Sequence, residues 1–161
     1  MKQYEFDNQI YSVVTCTEND IPSHVERVLS YWANADIKGQ IQALEQAVAS
    51  KTTWKLVDEN SETKSVIYCN MLNKRDAMSN LLWLADKRMF AMLCYYLRLT
   101  ANIQHIYFLP HSNYIPFRFI VQESSIRLFH SHGIPLEIDL YSKKSQKLYE
   151  IHFLRHNIRE L

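Results

Sequence analysis

The sequence predicts one α/β domain, in which a mixed, mostly antiparallel sheet of about seven strands is flanked by about four helices. The chain has 161 residues, the usual length of a single domain. Its 47% hydrophobic and 22% charged residues are typical of a globular protein. The apolar period alternates between that of strands and that of helices, in the order β-α-α-β-β-β-α-β-α-β-β. We therefore expect a single domain over residues 1–161.

The first quarter of the chain is predicted as one strand followed by two helices. Residues 4–16 have the apolar, β-branched character of a strand. Ser23 and Glu26 then stand at the spacing of a capping box, which predicts the start of a helix. A second helix is predicted over about 39–50, and its apolar face carries Ile41, Leu44 and Val48.

The middle of the chain is predicted as a hairpin, a central strand and a helix. Strands at 53–57 and 66–71 are separated by a polar turn. The apolar run 81–84 is typical of a central strand buried on both faces. The clearest helix of the chain follows, with apolar residues at helical spacing: Met89, Met92, Leu93, Tyr96 and Leu97.

The C-terminal third is predicted as a strand, a helix and two closing strands. The strand covers 103–109 and is ended by Pro110. The helix covers 117–132, and Gly133 suits the left-handed residue that follows a helix. The closing strands are expected at 134–140 and 147–154.

Composition excludes several classes of function. A formal charge of +1 provides no field for general nucleic-acid binding. No run approaches the ~18–20 apolar residues of a membrane span. Two glycines leave no glycine-rich nucleotide loop, and three scattered cysteines indicate free thiols in a reducing compartment. We expect a soluble, cytoplasmic protein.

The histidines do not predict a metal site. His130 and His132 are two residues apart, so on a helix their side chains point ~200° apart and cannot share one ion. At the end of a helix they are better explained by favourable contact with its last carbonyl groups. We therefore expect no metal.

The element order and the segment 122–134 resemble the GNAT superfamily of acyl-CoA-dependent N-acyltransferases. Ser125 and Gly133 fit the family pattern N-x-x-A/S, then Y four residues on, then G-F four beyond that. The same segment, with the strands after it, also resembles a small GNAT-like internal virion protein of tailed podophages. That second likeness implies a place in the virion or the host cytoplasm.

The resemblance implies a coenzyme A site around the fourth and fifth predicted strands. In the family these strands splay apart, the pantetheine arm bonds to the backbone of the fourth, and the pyrophosphate lies on the next helix N-terminus. The positions implied here are Leu82, Leu84, Lys87, Arg88 and Ala91. Ala91 fits the family loop Q/R-x-x-G-x-G/A, but Met89 replaces its first glycine and Asp86 adds a negative charge.

The resemblance also locates the proton-transfer groups. Phe129 occupies the place of the tyrosine that protonates the leaving thiolate in many members, and Gln122 replaces the family asparagine. His105, on the fifth strand with Tyr107 on the same face, is the candidate base, although a hydrogen-bonded structural histidine is the commoner explanation of a histidine at such a position.

These departures favour a GNAT fold whose chemistry has decayed, with no cofactor and a role in protein contacts. The alternative is an active N-acetyltransferase that moves acetyl from acetyl-CoA to a primary amine of a small molecule or protein, with His105 or water as base.

One aromatic segment suggests a protein partner. The segment straddles Pro116 and would be costly to leave in water. We expect another chain to cover it, in a virion assembly or a homo-oligomer. Its interface residues are Tyr114, Ile115, Phe117, Arg118 and Phe119.

Overall fold

The computed structural model describes residues 2–31, 36–86, 89–108, 136–139, 141, 143 and 158–161. In these ranges one sheet holds eight strands, and three α-helices and a short 3-10 helix at Glu18–Asp20 accompany it. The helices are α1 (Ile21–Tyr31), α2 (Ile37–Ala49) and α3 (Met89–Leu99). The strands are β1 (Gln3–Phe6), β2 (Gln9–Thr15), β3 (Thr53–Val57), β4 (Thr63–Met71), β5 (Asp76–Leu84), β6 (His105–Phe108), β7 (Leu136–Asp139) and β8 (Arg159–Glu160). The predicted mixed α/β class is confirmed.

The sheet order is β7-β6-β5-β4-β3-β2-β1-β8. Its strand pairs are antiparallel apart from β5 and β6, which run parallel. A parallel pair needs a crossover connection, and α3 lies in that connection. In the described sheet, β5 and β6 are therefore the one neighbouring pair whose strands run in the same direction.

The predicted strand over 4–16 is wrong in one respect, because it is a hairpin. β1 and β2 pair in register from Gln3↔Ser12 to Phe6↔Gln9. Asp7 and Asn8 between them have φ of 51° and 62°, a left-handed conformation that aspartate and asparagine adopt more readily than other side chains. The Asp-Asn dipeptide was the turn signal that the strand prediction overlooked.

The predicted capping box at Ser23 and Glu26 is also wrong. α1 begins earlier, at Ile21, and directly follows the 3-10 helix. The backbone N–H of Thr17 donates to Asp20 Oδ2 at 2.8 Å, so Thr17 and Asp20 organise this start. The hydroxyl of Ser23 instead donates to the Asp20 carbonyl at 3.0 Å, inside the first turn.

The other elements agree better with the predictions. The hairpin of β3 and β4 and the helix α3 are confirmed, and α2 begins slightly earlier, at Ile37, where Asp36 accepts from the Gly39 N–H. β5 starts well before the predicted apolar run, at Asp76. β6 and β7 fall within the predicted strands 103–109 and 134–140. The predicted helix 117–132 and strand 147–154 lie outside the described residues.

The sheet separates two apolar clusters. On one side, which we call the α3 face, sheet residues such as Ile67 and Leu82 pack with Leu93 of α3. On the other, the α1–α2 face, Val66 and Tyr68 pack with the helices α1 and α2. Consecutive residues of β4 thus belong to opposite clusters, because successive side chains of a strand point to opposite faces of the sheet. In the described ranges, the helices lack the length and apolar character needed to cross a membrane.

Candidate functional site

The described pairing between the parallel strands β5 and β6 covers the first half of β5. It runs from Asp76↔His105 to Ser79↔Phe108, and β5 continues to Leu84, whereas residues 109–135 lie outside the described residues. We call the region beside residues 80–84 of β5, beyond the last described pair with β6, the β5–β6 gap. On its other edge this half of β5 remains paired with β4 up to Ser65↔Leu84.

A β-bulge in β5 directly follows its last described pair with β6. Against β4, Leu81 is opposite Tyr68 and Ser79 is opposite Cys69, so Asn80 is the extra residue. A bulge bends its strand and increases the local twist. β5 therefore bends directly after its last described pair with β6. A polar residue immediately before the apolar run 81–84 was the available sequence signal, and the predictions did not use it.

The side chains of β5 in this region belong to both faces. The side chains of Leu82 and Leu84 are buried in the cluster on the α3 face. A ligand in the gap would therefore contact the backbone of these two residues and not their side chains. Trp83 lies between them in sequence, and its half-buried ring packs on the α1–α2 face. The resemblance implied Leu82 and Leu84 as cofactor-binding positions, and that assignment remains a prediction.

The start of α3 lies directly after β5. Met89 is its first residue, and its backbone N–H donates to the Asp86 carbonyl at 3.0 Å. The Met89 side chain is buried in the cluster on the α3 face, with its Sδ 3.3 Å from the Ser65 hydroxyl. The side chain at the position that the resemblance aligned with the family's first glycine is therefore directed into the core. Lys87 and Arg88 lie outside the described residues, and Ala91 belongs to the first turn of α3.

An arginine and a tryptophan meet on the α1–α2 face beside the gap. The Arg27 guanidinium carbon lies 4.6 Å from the centre of the Trp83 ring. Arg27 Nη1 donates to the Ser23 hydroxyl at 3.4 Å, and no ion pair joins Arg27 to a carboxylate among the residues that the structure describes. The sequence did not predict this pair, because it depends on how α1 docks on the sheet.

One turn before Arg27, a buried polar pair attaches α1 to the sheet. His24 is 1% exposed, and its Nδ1 lies 2.5 Å from the Tyr68 hydroxyl of β4. Burial, assisted by the positive charge of Arg27, lowers the pKa of His24 to about 4, so the ring is neutral at neutral pH. The neutral ring accepts from Tyr68 or donates to it, according to its tautomer. Tyr68 is directly opposite Leu81, at the bulge.

The candidate base His105 lies at the far end of β6 from the gap. Its Nδ1 is 2.9 Å from Asp76 Oδ1, and this pair joins the first residues of β5 and β6. Hydrogen bonds from Asn73 and His105 lower the pKa of Asp76. His105 stands three positions before Phe108, about 10 Å along a strand, which is beyond direct reach of a reacting group in the gap. Tyr107 lies two residues farther along β6 and is closer to the gap. Its ring is 6.4 Å from the ring of His105, which confirms that the two side chains share one face of the strand.

Other predicted site residues cannot be placed. Phe129 lies outside the described residues, as does the whole predicted interface. These assignments remain predictions. Within the described ranges, the histidine, cysteine and acidic side chains form no group of three that could hold a metal ion.

Comparison of the fold identifies a structural class. No family profile and no curated protein matches the sequence. Similar solved structures include a GNAT-family acetyltransferase from Listeria monocytogenes 4b F2365, with 6% identity, a TM-score of 0.60, and coverage of 86% of this chain and 99% of that one. RimJ of Mycobacterium smegmatis, in complex with CoA-disulfide, has 11% identity, a TM-score of 0.56, and coverage of 98% and 94%.

A third similar structure is the PaiA N-acetyltransferase of Thermoplasma acidophilum in complex with coenzyme A, with 11% identity, a TM-score of 0.54, and coverage of 80% and 98%. The alignments span most of this chain at very low identity, so they show the fold alone. The chain has the GNAT fold, as the resemblance implied. The likeness to a phage virion protein remains a prediction.

Proposed function

We propose that this chain binds acetyl-CoA in the β5–β6 gap and transfers the acetyl group to a primary amine. The observation that carries the proposal is the bulge at Asn80, which bends β5 in the half of the strand that leads to α3. A strand edge that leads to a helix N-terminus offers backbone groups to an extended amide chain and unpaired N–H groups to a phosphate. Similar folds that hold coenzyme A support this assignment.

The pantetheine arm and the pyrophosphate of acetyl-CoA would bind at different ends of the site. The pantetheine amides would pair with the backbone of β5 near Leu82 and Leu84, as an added strand does. The pyrophosphate would lie at the start of α3, with Lys87 and Arg88 as cationic ligands and the backbone up to Ala91 as donor. Because the Met89 side chain lies in the core, its bulk leaves the approach to the helix N-terminus open.

The transfer itself needs little from the protein. The nitrogen of a neutral amine attacks the thioester carbonyl, the C–N bond forms, and the C–S bond breaks to release a thiolate with a pKa of ~8.5. The amine proton leaves through water, because His105 stands about 10 Å before the gap and is paired with Asp76. The thiolate is a tolerable leaving group without an acid, so Phe129 slows the reaction and does not prevent it.

Calorimetry with acetyl-CoA tests the binding step, and thiol release with an amine acceptor tests the transfer. We expect saturable binding and turnover. The double variant Lys87→Glu/Arg88→Glu should weaken binding about tenfold or more, since each charged contact contributes about 1.5 kcal/mol or more. The control Lys74→Glu/Lys143→Glu makes the same charge change at exposed positions elsewhere. Absence of binding at about millimolar acetyl-CoA would overturn the proposal.

A second candidate function is a catalytically degenerate GNAT-fold protein that acts through protein contacts, for example as a phage virion component. Phe129 at the acid position and the apolar segment 114–119 favour it. In that case we expect acetyl-CoA binding without turnover, or no binding, together with a stable complex with another chain. Size measurement of the purified chain, alone and with substitutions at Phe117 and Phe119, tests the self-association that this candidate allows.

A further inference from the structure

We propose that Arg27, stacked on Trp83, binds a carboxylate of the acceptor, so that the substrate is an amine with a carboxylate on the same small molecule, as in an amino acid. This inference rests on the proposed function, because it assigns the substrate class of the same site. The juxtaposition that carries it is a guanidinium 4.6 Å above an aromatic ring beside the gap.

The first step is the position of Trp83. It lies in the half of β5 that follows the last described pair with β6, Ser79↔Phe108, and leads to α3. Its ring is on the α1–α2 face, whereas its neighbours Leu82 and Leu84 face α3. Trp83 thus forms part of the wall of the gap on the face opposite α3. Arg27 covers this ring from α1, so the guanidinium lies at the same wall.

The second step is the charge of this face. Arg27 is half-buried, and the described residues give it one polar contact, the Ser23 hydroxyl at 3.4 Å. The neighbouring cation Lys55 is already paired with Asp20 at 2.7 Å. His24 is neutral because burial lowers its pKa to about 4, and Glu26 is exposed. Arg27 therefore contributes a positive charge that lacks an ion-pair partner among the described side chains.

The third step is the chemistry of a stacked guanidinium. The ring face holds the cation in place through its π electrons and leaves the edge of the planar group, with its N–H donors, open to a ligand. Two parallel N–H donors match the two oxygens of a carboxylate. A cationic polyamine or a lysine side chain would instead be repelled by the same charge. The pair therefore favours an anionic group on the acceptor.

The fourth step is the scale of the site. Trp83 and Leu81, which is at the bulge, are two residues apart on β5, or about 6.6 Å along the strand. His24 and Arg27 stand one helical turn apart on α1, above Tyr68 and Trp83 respectively. A carboxylate held by Arg27 would place an amine a few ångströms away, toward the bulge. Small amino acids have this separation of amine and carboxylate.

The test compares acceptors that differ only in the carboxylate. Thiol release from acetyl-CoA is measured with the standard amino acids and with their carboxamides, for the wild-type chain and Arg27→Gln. We expect at least one amino acid to exceed its carboxamide about tenfold or more in kcat/KM, since hydrogen bonds to a charged group contribute about 1.5–3 kcal/mol. Arg27→Gln should abolish this preference, and Arg27→Lys should restore part of it.

Arg75→Gln is the matched control. Arg75 also stacks on an aromatic ring, 4.8 Å from the centre of Tyr141, but it lies in the turn before β5, at the opposite end of that strand from the gap. This variant should keep the full preference for amino acids. Calorimetry should give Arg27→Gln the wild-type affinity for acetyl-CoA, because the inference assigns Arg27 to the acceptor.

The outcomes separate the two levels of the proposal. Binding of acetyl-CoA with equal transfer to amino acids and carboxamides overturns the inference and leaves the proposed function in place. A preference that survives Arg27→Gln also overturns the inference, and so does loss of acetyl-CoA affinity in that variant, which would assign the guanidinium to a cofactor phosphate. A wild-type chain that does not bind acetyl-CoA overturns the proposed function, and the inference falls with it.

Discussion

Acidification should weaken the attachment of α1 to the sheet, because His24 is buried there in its neutral form. The ring is 1% exposed, lies 2.5 Å from the Tyr68 hydroxyl, and packs edge-on against the Tyr68 ring at a centroid distance of 5.0 Å. Protonation would put a charge into this apolar site, close to the positive charges of Arg27 and Lys55. Asp20 is the acidic group that opposes their effect on the His24 pKa.

The magnitude follows from the two pKa values. Burial lowers the pKa of His24 from 6.5 to about 4, so between these values the unfolded chain binds a proton that the folded chain does not. Stability therefore falls as the pH decreases through this window, and it rises again as the pH increases. Since each pKa unit corresponds to about 1.4 kcal/mol, the loss approaches about 3 kcal/mol at the acidic end.

The assay is urea denaturation, followed by circular dichroism, at a series of values from about pH 7 to about pH 4.5. The variant His24→Gln keeps a polar side chain for Tyr68 but has no group that titrates in this range. We expect the variant to lose less stability than the wild type as the pH falls, by up to about 2–3 kcal/mol. Equal pH dependence in the two proteins would refute the assignment of the effect to His24.

Three further substitutions test particular contacts. Met89→Ala should reduce stability by about 2–4 kcal/mol without tightening acetyl-CoA binding, since the side chain fills the core; tighter binding at unchanged stability would show that it blocks the phosphate site. Tyr141→Phe should cost about 1 kcal/mol in thermal unfolding, because its hydroxyl donates to the Arg98 carbonyl at 3.1 Å or to Asn102 Oδ1 at 3.0 Å; an unchanged Tm would contradict these contacts. Asn8→Gly should preserve stability, whereas Asn8→Val should reduce it by about 1–2 kcal/mol because of the φ of 62°; equal effects of the two in urea would contradict a left-handed turn.

The sequence predicted elements whose apolar pattern is regular. α3 begins at Met89, the first residue of its apolar series, and the β3–β4 hairpin follows the two predicted apolar runs. The start of β5 was missed because Asp76, Ser79 and Asn80 are polar, although Ser79 is buried at 6% exposure. The pattern of a single strand does not show that a neighbouring strand will cover a polar position.

The site was predictable only in part. The resemblance implied Leu82 and Leu84 as cofactor-binding positions; both belong to the half of β5 that leads to α3, and their role remains a prediction. The direction of the Met89 side chain could not be predicted from the sequence. The identity of a residue at the start of a helix does not determine whether its side chain points into the core or toward solvent. The contact of Arg27 with Trp83 likewise depends on the docking of α1 against a distant strand.

Hydrogen exchange of the whole chain, with and without acetyl-CoA, tests most directly whether the cofactor lies beside residues 80–84 of β5. Backbone N–H groups that donate to a bound ligand exchange more slowly than they do in the free chain. We expect slower exchange in residues 80–84 and in the first turn of α3, with β1 and β2 unchanged. Slowing elsewhere, with those two segments unaffected, would contradict the account.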